Sequence, residues 1–203
     1  VHAARSPDWL RLLLLAAGQR PLDVLVDISN FVMLDLGQPN HLFDRRQVAA
    51  GIDVRQAREG ETLVTLDGTE RRLTPADILI CSGDAPVALA GIMGGEASKV
   101  AQDSESLLLE VASFDAATIR RSSSRLGLRT DASSRFEKSL DPALPQQAAA
   151  HLVRLLTGIQ PALRLPAPPT DVGDWQRPPT VVPLRPARVR QLLGVSLADD
   201  EIA

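Results

Sequence analysis

An α+β domain is what this sequence predicts, and three observations predict it. Helical periodicity with start and stop signals occupies both ends of the chain. Short, nearly continuous apolar runs of strand length occupy the middle. The two patterns do not alternate as regular βαβ units, which leaves helices flanking a strand-rich centre.

The elements follow in order. Ser6-Pro7-Asp8 reads as a helix start, with Ser6 as N-cap and Pro7 at the first helical position, and the run through WLRLLLLAA stops at Gly18. A second helix is expected from Leu22 to Leu36, closed by Gly37. Gln38-Pro39 then turns the chain and places His41 in a loop, where ligand-facing side chains tend to sit. After Gly51 the pattern becomes strand-like: Ile52, Val54 and Gln56 alternate with charged neighbours, and LVTLDGTERRL is a hairpin about Asp67-Gly68. ILIC, VALAGIM and LLLEVA are expected as strands of one buried sheet. Asp115 caps a helix to about Leu126, and Pro142 to Leu156 forms another, closed by Gly158.

Residues 1–160 thus read as one domain. From Pro161 to Pro186 lie 8 of the 15 prolines, so 161–183 is expected as an extended linker. Beyond it, 184–203 reads as one short helix and a second capped by Ser196, the truncated start of a following domain.

Composition removes several function classes. A net charge of −3 excludes a globally basic nucleic-acid coat, so any RNA contact must come from a local patch. The 22 basic residues include only two lysines, Lys99 and Lys138. Arginine suits bidentate phosphate contacts, but a GC-rich genome produces the same skew. A single Cys81 forbids an internal disulfide and a cysteine-based zinc site, and reads as a small buried hydrophobe. Leu12 to Ala17 is too short to span a bilayer and follows a helix start rather than a basic leader, so a soluble cytoplasmic protein is expected, with no membrane partner. No nucleophile–base pair, metal cluster or phosphate loop is evident, so no metal is expected.

Three blocks look instead like the lining of a pocket for a small polar molecule: SNFVMLDLGQPNHLFD, LAGIMGGEASKV and LLLEVASFD. Glu110 interrupts LLLEVA. It is either a solvated carboxylate on a half-exposed strand or, given apolar Leu109 and Val111 beside it, a buried one that needs a partner. His41 is either a satisfied structural histidine or a group facing a ligand. Gly91, Gly94 and Gly95 are turn glycines, and they also leave room for a ligand to approach the backbone. Arg120, Arg121, Arg125, Arg129 and Arg135, with five interleaved serines, are either a solvated face or a set of phosphate contacts. The absence of Tyr and a total of six Phe and Trp argue against base-stacking platforms.

In one order, RPLDVLVDISNFVMLDLGQPNHLFD, LVTLDGTERRL, LAGIMGGEASKV, LEVASFD and LRTDASSRFEKSLDP resemble the editing module of the beta subunit of bacterial phenylalanyl-tRNA synthetase. The likeness covers roughly residues 6–158. It implies hydrolysis of the ester in tyrosyl-tRNA(Phe), which keeps the charging of tRNA(Phe) accurate in translation. Such a step is needed because an apolar phenylalanine pocket rejects an added hydroxyl only about a hundred-fold, whereas a site that hydrogen-bonds the hydroxyl discriminates far better in reverse.

By resemblance, Glu110 accepts the tyrosine para-hydroxyl, and His41 with Asn30 and Gly91 serves the scissile ester, His41 orienting water more than acting as base. The phenol is then expected at Glu110 and the carboxyl end at His41 and Gly91, at opposite ends of the pocket. Arg20, Gly94, Thr130 and Ala132 match substrate-binding positions, with Thr130 bonding the polar end and Ala132 limiting pocket size. Arg125 and Arg129 are assigned to tRNA. The partners implied are the tRNA(Phe) acceptor end, a tyrosine or phenylalanine moiety, and an alpha subunit in a heterotetramer. The resemblance places no cofactor on this region; ATP and magnesium belong to the complete enzyme. Departures are Asp23-Val24 for paired asparagines, Phe31 for Tyr, Leu42 for Ala, and Lys138-Ser139 for Arg-Gly. The alternatives are a non-catalytic module for tRNA binding or subunit assembly, and a small-molecule amino-acid binding domain.

Overall fold

The structure, a computed structural model, describes residues 1–176 and 181–202. It is α+β, with two compact units, Val1–Gly173 and Asp174–Ala203. The division falls inside the proline-rich stretch expected as a linker, of which residues 177–180 lie outside the described set.

In the first unit, helices α1 (Asp8–Ala16) and α2 (Val24–Leu36) lead to strand β1 (His41–Asp44). Strands β2 (Asp53–Gln56), β3 (Thr62–Val64), β4 (Glu70–Arg72), β5 (Ile78–Ser82), β6 (Ala85–Leu89) and β7 (Met93–Gly94) follow, then a 3-10 turn (Glu96–Ser98) and β8 (Leu107–Glu110). Helices α3 (Ala116–Leu126), α4 (Asp131–Phe136) and α5 (Leu144–Ile159) complete it.

The strands make three antiparallel groups. The order β2-β5-β6-β7 forms the main sheet, β3-β4 is the hairpin turning at Gly68, and β1 pairs with β8 by itself. LLLEVA therefore does not join ILIC and VALAGIM in one sheet; its β8 takes HLFD as partner. That pairing also makes His41 the first residue of a strand rather than a loop residue. The expected alternation in β2 is inverted. Val54 is 54 % exposed, while Arg55 turns inward and makes a two-pronged ion pair with Glu61 at 2.7 and 2.9 Å. A charge that finds a bidentate partner displaces an apolar residue from the inner face here.

Each helix buries a stripe at helical spacing: Leu10 and Leu14 of α1, Leu25, Ile28 and Val32 of α2, and Ala148, Leu152 and Leu156 of α5 share one core. A second core gathers Leu63, Leu79, Leu89, Ile119 and Phe136, placing α3 and α4 against the strands.

The helix ends carry corrections. Ser6 does not cap α1; Pro7 holds that position, and the Ser6 hydroxyl donates to buried Asp27 at 2.5 Å. α2 starts at Val24 rather than Leu22, because the Asp23 carboxylate accepts from the N–H groups of Leu25 and Val26. Gly158 does not close α5, which continues to Ile159; Gly158 avoids the left-handed backbone that a terminating glycine adopts. α4 has no counterpart in the expectation. Thr130 and Ser133 build it through a reciprocal capping box.

The second unit contains α6 (Pro186–Leu193) and α7 (Asp199–Ile202). Ser196 does not cap α7, which begins three residues later, where the Ala198 N–H donates to the Glu201 carboxylate at 2.8 Å. Among the described residues, no helix is long and apolar enough to cross a membrane.

Candidate functional site

A cavity of about 460 Å³ opens among α2, β1, the β6–β7 turn, β8 and α4, within the usual size of a small-ligand site. Four sequence signals converge there. Asp23 starts α2 so that Val26, Asn30 and Met33, one helical face, line the cavity. The antiparallel register sets His41 directly opposite Glu110. The β6–β7 turn brings Gly91 and Gly94, and the cap of α4 brings Thr130 and Ala132. Seven of the ten expected site residues therefore share one wall system: Asn30, His41, Gly91, Gly94, Glu110, Thr130 and Ala132.

His41 and Glu110 are backbone neighbours on one rung of the β1–β8 ladder, so the expected separation of the two ends of the ligand has to come from their side chains. Side chains paired in this way leave the backbone about 5 Å apart on the same face. No hydrogen bond or ion pair joins them, and the imidazole stands edge-on to Phe43, ring centres 4.4 Å apart. Burial alone perturbs both. It pushes the Glu110 carboxyl up to about 7 and the His41 imidazole down to about 4, because each charged form has lost water without gaining a partner. His41 is therefore neutral near pH 7, with its buried Nε2 unpaired. Glu110 retains some accessibility as a residue, consistent with a position on the cavity wall.

The two cavity glycines do different work. A Cβ on Gly94 would sit 2.5 Å from His41 Cε1 and 2.8 Å from Nε2, so its bareness makes room for the imidazole rather than for a ligand. Gly91 adopts φ +66°, and a Cβ there would meet Phe114 at 2.9 Å. Its N–H donates to no acceptor among the described hydrogen bonds, which leaves a donor at the cavity edge.

Other assignments change. The Thr130 hydroxyl is already used, donating to Ile92 O at 2.8 Å and accepting from the Ser133 N–H, so its part is to join α4 to the glycine turn. Arg20 is exposed and does not line the cavity; its neighbour Gln19 bonds Asp131, which does. Arg125 is bound to buried Asp77 and Arg129 to Glu137, so each of the two guanidinium groups expected at phosphate already has a carboxylate partner within the fold. Asn40 was missed. Its Nδ2 donates to Ser29 O at 3.1 Å, its Oδ1 is buried and unpaired, and the residue lines the cavity beside His41. Nothing in sequence spacing marks it, since it occupies the unconstrained place between Pro39 and His41. Among the described residues, no group of three or more His, Cys, Asp or Glu is placed to hold a metal ion.

Residues 1–161 match the B3/4 domain family. The whole chain is 48 % identical to the phenylalanine–tRNA ligase beta subunit of Gloeobacter violaceus, covering 26 % of that protein. It is 42 % identical over its whole length to the same subunit of Halalkalibacterium halodurans, and 44 % over 98 % of its length to that of Moorella thermoacetica, covering 25 % of each. The chain thus spans about a quarter of the length of these curated relatives.

Proposed function

This chain belongs to the B3/4 domain family, and on that premise we propose that it is the editing module of a phenylalanine–tRNA ligase beta subunit, hydrolysing the ester of tyrosyl-tRNA(Phe). The observation that carries the reading is the β1–β8 rung, where a carboxyl and an imidazole, both buried and both unpartnered, face one cavity. Burying an unpaired carboxyl is costly unless a ligand completes it. A phenol hydroxyl does so, and a phenylalanine ring does not, which leaves the group stranded and gives discrimination.

In the reaction, water adds to the ester carbonyl, the bond to the ribose oxygen breaks, and free tyrosine and deacylated tRNA leave. Neutral His41, on the cavity wall with its Nε2 screened from solvent, shapes the place of the attacking water; an imidazole at about 4 is a weak base near neutrality, which favours orientation over proton abstraction. The free Gly91 N–H is the donor available to the developing oxyanion. Asn30, on the cavity wall, offers a further polar contact to the aminoacyl end. Of the cavity's carboxylates, Glu110 stands alone and Asp131 is held by Gln19 and Arg135.

The test uses the full-length polypeptide assembled with its alpha subunit, incubated with tyrosyl-tRNA(Phe) and phenylalanyl-tRNA(Phe). Preferential hydrolysis of the tyrosyl ester is expected. Glu110→Ala should lower that hydrolysis about ten- to a hundred-fold, the value of a hydrogen bond to a charged group, and erase the preference. An unchanged ratio of the two rates would make Glu110 a structural carboxylate.

A further inference from the structure

Five arginines and one lysine lie between Arg120 and Lys138, in a chain whose net charge is −3. The fold divides them. Arg125 serves Asp77, Arg135 serves Asp131, and Arg129 and Lys138 both serve Glu137, at 2.7 and 3.5 Å. Two remain. Among the described residues Arg120 has no carboxylate partner, and Arg121 donates to the Thr118 hydroxyl at 3.1 Å, with the Asp115 carboxylate in electrostatic reach but no ion pair formed. Both are exposed, and both line a second depression on the surface, of about 660 Å³, with Ser124, Glu137 and Ser139.

We propose that this groove binds the phosphodiester backbone of the RNA whose ester enters the cavity, a second binding site that rests on the editing reading above. Three features carry it. First, Glu137 is the only carboxylate on the groove wall and already holds two cations, so Arg120 and Arg121 leave a surplus of positive charge. Second, the wall carries guanidinium groups and hydroxyls but no aromatic ring, which suits phosphate oxygens and offers nothing for bases to stack on. Third, the groove lies next in the chain to the cavity wall: Phe136 lines the cavity and Glu137 the groove, and Phe114 of the cavity stands two residues before Ala116 of the groove. Ser139, at the exit of α4, takes φ +62°, uncommon for a residue with a side chain, and so turns the backbone along the groove.

The experiment measures binding of tRNA(Phe) by the full-length polypeptide with its alpha subunit across a salt series, and hydrolysis of tyrosyl-tRNA(Phe) in parallel. Each phosphate neutralised contributes roughly 0.7–0.9 to the slope of log affinity against log salt. Arg120→Gln/Arg121→Gln should therefore lower that slope by about 1.4–1.8 and weaken binding roughly ten-fold near physiological salt. Neither side chain makes an ion pair, so the thermal melt should stay with the wild type. Arg58→Gln, which removes a cation elsewhere, should leave the slope unchanged. An unchanged slope in the double variant, or an equal fall in Arg58→Gln, overturns the groove. If the double variant loses slope while the wild type hydrolyses neither ester, the groove stands and the editing reading falls. If the wild type edits and the double variant binds and edits with unchanged Kd and KM, the editing reading stands and the groove falls.

Discussion

Two buried carboxylates in this molecule have met the same cost in opposite ways. Asp77 is 0 % exposed, and burial is the largest single influence on it, pushing its carboxyl up. Hydrogen bonds from Arg125, from the Ser122 hydroxyl at 2.6 Å and from the Thr74 N–H at 2.8 Å together outweigh burial and hold it below the ordinary aspartate range. Glu110 has the burial without the donors, and rises to about 7. The first arrangement ties α3 to the turn before β5 and asks nothing of a ligand. The second leaves an acceptor to be completed from outside. A carboxylate whose partners are all internal is architecture, whereas one facing a cavity with none is a candidate for recognition.

That contrast can be broken at both ends. The largest effect is expected at the satisfied end: Asp77→Ala should cost about 3–5 kcal/mol in urea unfolding, since it leaves Arg125, the buried Ser122 hydroxyl and both Thr74 donors without their acceptor. A loss below about 1 kcal/mol would show that the network is ornamental. Gly94→Ala comes next. The added methyl needs the space that His41 occupies, so hydrolysis of tyrosyl-tRNA should fall about a hundred-fold with little change in the melt. Full activity in that variant would remove His41 from the reaction. His41→Ala should lower hydrolysis of both esters together with less change in preference, separating orientation of water from reading of the phenol; a selective loss of the tyrosyl rate would merge the two roles.

The smallest effect sharpens the comparison through pH. Glu110 binds its proton more tightly folded than unfolded, so it takes nothing from stability below its ordinary value near 4.5. Its cost grows as pH rises through that value and is complete above about 7. Glu110→Gln should therefore stabilise the protein by about 1–3 kcal/mol at pH 8 and by almost nothing at pH 4, measured by thermal melts. His41 has the opposite sign: neutral when folded, it costs stability only as pH falls from about 6.5 toward 4. The Asp77 carboxyl, lowered by its partners, loses its contribution on the acid side. Equal stabilisation by Glu110→Gln at both pH values would mean that the carboxyl is solvated after all.

The α+β class, the stripes of α1, α2 and α5, the hairpin at Gly68 and the cap at Asp115 were legible because each depends on residues close in sequence. Less legible were α4, because Thr130 and Ser133 cap it inside a stretch that reads as loop, and the partner of β8, because LLLEVA matches any buried strand. Seven of the ten candidate residues line the cavity, whereas Arg125 and Arg129 lie off it in ion pairs with Asp77 and Glu137. An arginine run does not reveal which of its members already has a carboxylate, since Asp77 lies 48 residues from Arg125.

By itself the sequence determined the elements and their chemistry: periodicities of 3.6 and 2, caps that need Asp23 and Asp115, glycines that need left-handed turns, and the presence of one glutamate in an apolar run. Only the tertiary structure decided which groups stand together. Strand register set His41 against Glu110, packing gave Asp77 its donors and withheld them from Glu110, and the closeness of Gly94 to the imidazole made a glycine obligatory there. The physical reason is one of range. Backbone preference and capping act over four or five residues, whereas desolvation and pairing depend on whatever the fold brings within hydrogen-bond reach.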